Sequence, residues 1–232
     1  MKSYEEIVRE LRAMQDEKYR RFNERIVNVP SGSSLGVRTP LLRKYARELA
    51  RSEGYDPEEL YSFPNDIFEI RLLKCLCTAY AKMPYADLVQ SIDRCMEVID
   101  GWAVCDLFCA TLKDLKKHRE EFLPHIRAYV AQGTEFSQRF AYIVLLGCYM
   151  DEQYLSEIFS LLDRAKTEYY YTYMGAAWLL AEVLVKFYAE GVRYLKEGGL
   201  DGRTKNKAIQ KARESFRLTA EQKNYLKSLK NG

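Results

Sequence analysis

A chain of 232 residues, 47% hydrophobic and 30% charged, is long enough for one substantial domain or a short repeat array and too apolar for a disordered protein. Its net charge is only +3, yet residues 186–232 carry 12 Lys or Arg against five Asp or Glu, which suits an anionic partner as well as a solvated terminal helix. The opening residues lack the apolar stretch of a secretory signal, and six cysteines without Cys-x-x-Cys spacing beside only two histidines argue against zinc. A cytoplasmic protein with buried reduced thiols, no metal and no cofactor is expected.

Apolar positions recur with helical spacing almost throughout, and no stretch alternates as a strand would, so the chain reads as all-α. Tyr4, Ile7, Val8 and Leu11 predict a first amphipathic helix that runs on to about Arg25, where Pro30-Ser31-Gly32 breaks it. Thr39 as N-cap with Pro40 at the first helical position predicts a second helix through Leu49, closed off by Gly54 and Pro57. Further helices are expected at about Ile67 to Lys82, Tyr85 to Val98, Gly101 to Leu115, His118 to Ala131 and Glu135 to Tyr149. The series continues at about Gln153 to Arg164, Tyr169 to Tyr188, Gly191 to Lys196 and Arg203 to Ser215, and a short helix from Thr219 onward ends the chain. The segment from Tyr169 to Val185 is apolar, but it carries Glu182 and is short for a membrane span, so no membrane association is expected.

Within Gly101 to Leu115 one carboxylate, Asp106, interrupts a run that is otherwise apolar from Trp102 to Ala110. Asp100 suits a helix N-cap, which places Trp102 and Asp106 one turn apart on one face. A carboxylate in apolar surroundings is paired, hydrogen-bonded or functional. Short linkers between these helices give antiparallel pairs with a period of roughly 35 to 45 residues, that of HEAT-type solenoids. Trp102 precedes Arg139 by 37 positions and Arg139 precedes Trp178 by 39, so both tryptophans and the arginine fall at one repeat spacing. Equivalent positions of stacked repeats share a face, and Trp102, Asp106, Arg139 and Trp178 are therefore expected on one concave surface of a single domain, residues 1–232.

Five segments then carry a resemblance. They are Gly36-Val37-Arg38-Thr39-Pro40-Leu41-Leu42-Arg43, Trp102-Ala103-Val104-Cys105-Asp106 and Gln138-Arg139-Phe140-Ala141, followed by Ala177-Trp178-Leu179-Leu180-Ala181-Glu182 and the run from Asn206 to Ser215. Together they resemble the DNA alkylation repair proteins, whose best understood members are AlkD-type alkylpurine DNA glycosylases built of HEAT-like repeats. The likeness covers most of the chain. It implies that Trp102, Trp178 and Asp106 form a catalytic cleft, that Arg139 grips the DNA backbone, and that the lesion can remain outside any base pocket.

An N3- or N7-alkylated purine is already cationic and leaves without protonation, so an enzyme of this kind has only to stabilise the positive sugar. Asp106 suits that task, and the tryptophan faces would support it by cation–π attraction. The basic end would add phosphate contacts, with Lys205, Lys207, Lys211 and Arg213 singled out because they share one predicted helix. The implied partner is double-stranded DNA with alkylated bases, met by a monomer. Two other readings keep the solenoid: a non-catalytic protein that binds distorted or branched DNA, and a scaffold for another protein.

Overall fold

The computed structural model describes residues 1–230, and among these the chain is helical throughout, with one isolated bridge, Gln15 to Val37, as its sole extended pairing. The last two residues of the expected domain lie outside the described residues. Two compact units are present, Met1–Leu112 and Lys113–Gly232.

The first unit contains α1 (Tyr4–Ala13), α2 (Glu17–Val27), α3 (Thr39–Leu49), α4 (Pro57–Ser62), α5 (Phe68–Tyr80), α6 (Tyr85–Met96) and α7 (Trp102–Thr111). At its centre lies α5, packed on α3, α4, α6 and α7. Residues Phe68 to Thr78 of α5 are buried without a break, so no face of this helix is left for water. The second unit opens with a 3-10 turn, Lys113–Lys117. It continues with α8 (Arg119–Gln132), α9 (Glu135–Cys148), α10 (Leu155–Leu162), α11 (Tyr170–Lys186), α12 (Tyr188–Glu197), α13 (Gly202–Glu214) and α14 (Ala220–Ser228). Here α11 is central, against α9, α12 and α13. In each unit alternate helices stack side by side, α3 with α5 and α7, α9 with α11 and α13, while sequential helices pair. That is the packing of a helical repeat array.

Three expectations are corrected. The first amphipathic helix is not continuous to Arg25. It stops at Ala13, because Gln15 bridges to Val37 and the Asp16 amide donates to the Gly36 carbonyl, 3.0 Å. Asp16 then caps α2 by accepting from the Tyr19 amide at 2.9 Å, and its Oδ2 pairs with Arg38 at 2.7 Å. Thr39 lies inside α3 rather than capping it; Arg38 holds the cap position without a side-chain bond. Asp100 is not the cap of α7 either. Gly101 is, in extended conformation, and Asp100 pairs instead with Arg71 of α5 at 3.2 Å. The six-residue α4 escapes the periodicity because it is little more than one turn beyond its Asp56 cap.

The buried centre of the first unit carries charge, and each charge holds a loop. The Glu69 carboxylate accepts from the Ser34 hydroxyl (2.9 Å) and from the amides of Leu35 (2.9 Å), Gly36 (2.8 Å) and Val37 (3.1 Å). Gly36 is required in that loop. Its φ of +79° lies in the left-handed region, and a Cβ there would fall 2.5 Å from the Cβ of Arg20 and 2.7 Å from the Asp16 carbonyl oxygen. Lys74, fully buried, donates to the carbonyls of Tyr61 (3.2 Å) and Phe63 (2.6 Å) and to the Asn65 amide oxygen (2.7 Å), closing the end of α4.

Glu69→Ala removes this acceptor from all four donors at once; the Gly36 amide keeps the Ser34 hydroxyl at 3.1 Å, and the other buried donors left without partners cost about 1 to 3 kcal/mol each before relaxation. The expected result in urea unfolding is a loss of roughly 3 kcal/mol or more in stability. A loss below about 1 kcal/mol would show that the loop is held by something other than this carboxylate.

Candidate nucleic-acid site

In the first unit the site residues stand on the open edge of α7. Ala103, Val104, Cys105, Phe108 and Cys109 turn inward, which leaves Trp102, Asp106 and Leu107 half-buried along the other side. Trp102 and Asp106 are thus brought one turn apart, as their spacing requires. The helix presents this carboxylate at a partly open edge. The Trp102 indole is fixed, its Nε1 donating to the Ile26 carbonyl at 3.2 Å near the end of α2. With that polar corner engaged, the ring walls a cleft of about 210 Å³ whose other sides include Tyr19, Val27, Val37, Phe68 and Leu107. Val37 reaches the cleft from the loop that Glu69 holds.

In the second unit Thr134 caps α9 in a reciprocal pair with Ser137, and Arg139 follows one turn later. Arg139 is 5% exposed, and its Nη1 donates to the Tyr171 carbonyl at 3.0 Å in the first turn of α11. Its aliphatic stem lies against Gly175, where a Cβ would stand 3.6 Å from Cγ. The arginine therefore ties α9 to α11 by one of its nitrogens. Tyr171 also offers its ring, 5.8 Å from the guanidinium carbon.

Trp178 is half-buried on α11 and lines a cleft of about 280 Å³ with Glu182 and Val185 of its own helix and Lys211, Glu214 and Ser215 from the α13 side. The four basic residues singled out along α13 do not act as a set. Lys205 donates to the Gly198 carbonyl at 2.6 Å and so holds the end of α12. Lys207 reaches Gln210 Oε1 at 3.3 Å. Lys211, one turn after Lys207, is the one of the four that lines the Trp178 cleft, and burial together with the neighbouring Lys207 lowers its amine below the ordinary lysine range. Arg213 is half-buried, with its Nε enclosed and unbonded.

Sequence reasoning missed Glu182 and Arg217. The two form an ion pair at 2.7 Å on the rim of the Trp178 cleft. The signal was present: Glu182 follows Trp178 by four positions, the spacing of Trp102 and Asp106. Arg203, stacked over the Tyr173 ring at 4.1 Å, was also passed over, because its partner sits on another helix. Among the described residues no group of three His, Cys, Asp or Glu side chains could hold a metal ion, and no helix is long and apolar enough to cross a membrane.

Comparison with known proteins adds one finding. A family model described as DNA alkylation repair enzyme matches residues 7–212, which takes in α7, α9, α11 and nearly all of α13. No curated protein and no solved structure matches the chain. The matched span is most of the 232 residues and includes Trp102, Asp106, Arg139 and Trp178. The chain belongs to the DNA alkylation repair enzyme family.

Proposed function

We propose that this family member is a DNA glycosylase that releases cationic N3- and N7-alkylated purines from double-stranded DNA. The observation that carries the proposal is the pairing on α7: an indole whose N–H is already satisfied beside a carboxylate held at an open helix edge. An alkylated purine needs no proton to leave. The barrier lies in the positive charge that builds on the deoxyribose as the glycosidic bond lengthens, and a carboxylate removed from bulk water opposes that charge more strongly than an exposed one. In this reading Asp106 supplies the carboxylate and also orients the attacking water.

The face of Trp102 then attracts the cationic sugar and base by roughly 0.5 to 2 kcal/mol, depending on desolvation. Lys207 of α13 serves the phosphates in this reading, Arg139 contributes to the same backbone contacts, and Lys211 meets the DNA from the Trp178 cleft that it lines. Lys205, whose ammonium is engaged by Gly198, contributes chiefly by holding α12 in place. Because the reaction turns on charge at the sugar, it needs neither metal nor cofactor. The protein is expected to act as a monomer in the cytoplasm.

Asp106→Asn keeps the shape of the side chain and removes its charge. The variant is expected to retain its helical circular dichroism and its affinity for DNA while excision of 7-methylguanine falls by about 100-fold or more. A folded, DNA-binding variant that still releases the base at the parental rate would remove Asp106 from the mechanism. Phosphate binding makes a second expectation: log affinity for DNA should fall linearly with log salt, and Lys207→Gln should make that slope shallower by about one. A slope unchanged by the substitution would take Lys207 off the interface.

A further inference from the structure

The surroundings of Lys211 differ from those of an ordinary phosphate-binding lysine. Its side chain lines the Trp178 cleft, and its Nζ makes no hydrogen bond or ion pair among the described residues, whereas the ammonium groups of Lys205 and Lys207 each have an acceptor. The cleft rim carries two carboxylates, Glu182 and Glu214. A pocket built only to grip a phosphate would gain nothing from acidic groups on its edge. Two influences known to free an amine for nucleophilic attack meet at Lys211: burial disfavours its charged form, and the positive charge of Lys207, with a smaller effect from Arg139, works in the same direction against the opposing pull of Glu214.

We propose that Lys211 is the nucleophile of an abasic-site lyase activity, attacking the C1′ aldehyde of a ring-opened deoxyribose held in the Trp178 cleft. The substrate class, DNA that has lost a base, rests on the glycosylase reading, since base release generates that sugar. The chemistry closes without any added reagent. The neutral amine adds to C1′, forming a nitrogen–carbon bond, and the carbinolamine loses water to give a protonated imine. That imine acidifies C2′. A carboxylate on the rim, Glu214 being the one whose charge acts on Lys211, accepts the C2′ proton. The released electron pair forms the C2′–C3′ double bond and expels the 3′ phosphate with cleavage of the C3′–O bond. Water then hydrolyses the imine, returning the free amine and an unsaturated aldehyde on the upstream strand. Trp178 covers one side of the sugar and limits the access of water to the imine before elimination.

The test uses a duplex whose single abasic site is prepared beforehand by uracil excision, so it does not depend on base release by this protein. The full-length protein is mixed with this duplex, the imine is reduced with sodium borohydride to a stable amine, and the cross-linked peptide is mapped by mass spectrometry. DNA retention is measured on the same sample. The expected result is a covalent complex mapping to Lys211 and lost in Lys211→Arg, which keeps the positive charge but cannot form the imine. Cross-linking should also rise with pH through a range below that of an ordinary lysine. A cross-link at any other lysine, or one undiminished in Lys211→Arg, overturns the proposal. Bound DNA without a cross-link overturns it and leaves the glycosylase reading intact, and failure of both binding and cross-linking overturns the two together.

Discussion

A helix buried on every side must satisfy every polar group it carries, and in the first unit that constraint falls on α5. Its three buried charged residues, Glu69, Arg71 and Lys74, cannot reach bulk water, so each draws in a different piece of backbone or side chain. Glu69 gathers the loop before α3 through three amides and a hydroxyl. Lys74 takes the carbonyls at the end of α4. Arg71 donates to the Asn65 carbonyl and pairs with Asp100, immediately before α7 begins. The start of α7 is therefore anchored by α5, and Trp102 takes its position from that start. A core of aliphatic residues alone would bury α5 equally well, but it would leave these connections free to move.

The second unit solves a similar problem with one arginine. Arg139, buried on α9, reaches across to α11, where its Nη1 donates to the Tyr171 carbonyl. The α11–α13 contact then places Trp178 against the flank of α13 that carries Lys211. Polar residues in both units thus divide their labour. Those buried fix the helices, and Trp102, Asp106, Trp178 and Lys211 stay half-buried, with part of their surface open.

The helical class could be read from periodicity because a 3.6-residue pattern depends only on neighbours along the chain. The pairing of Trp102 with Asp106 was legible for the same reason. What the sequence hid are contacts between distant residues. The break after Ala13 arises from pairing with residues 36 and 37, and no local breaker marks it. Asp100 has the composition of a cap, yet a buried arginine 29 positions earlier claims it. Four basic residues on one predicted helix looked equivalent, although helix geometry sends Lys205 towards α12 and Lys211 towards Trp178. The adjacency of Trp178 and Lys211, on which the lyase proposal depends, could not have been drawn from a spacing of 33 positions alone.

The central claim concerns the bond that is broken. It is tested most directly by incubating the protein with duplex DNA containing 7-methylguanine and measuring free base by chromatography, with unmodified guanine in the same duplex as the internal reference. The account predicts release of 7-methylguanine well above the spontaneous rate and no release of guanine, because only the cationic base leaves without a proton donor. Tight binding of the alkylated duplex with base release no faster than in protein-free buffer would contradict it.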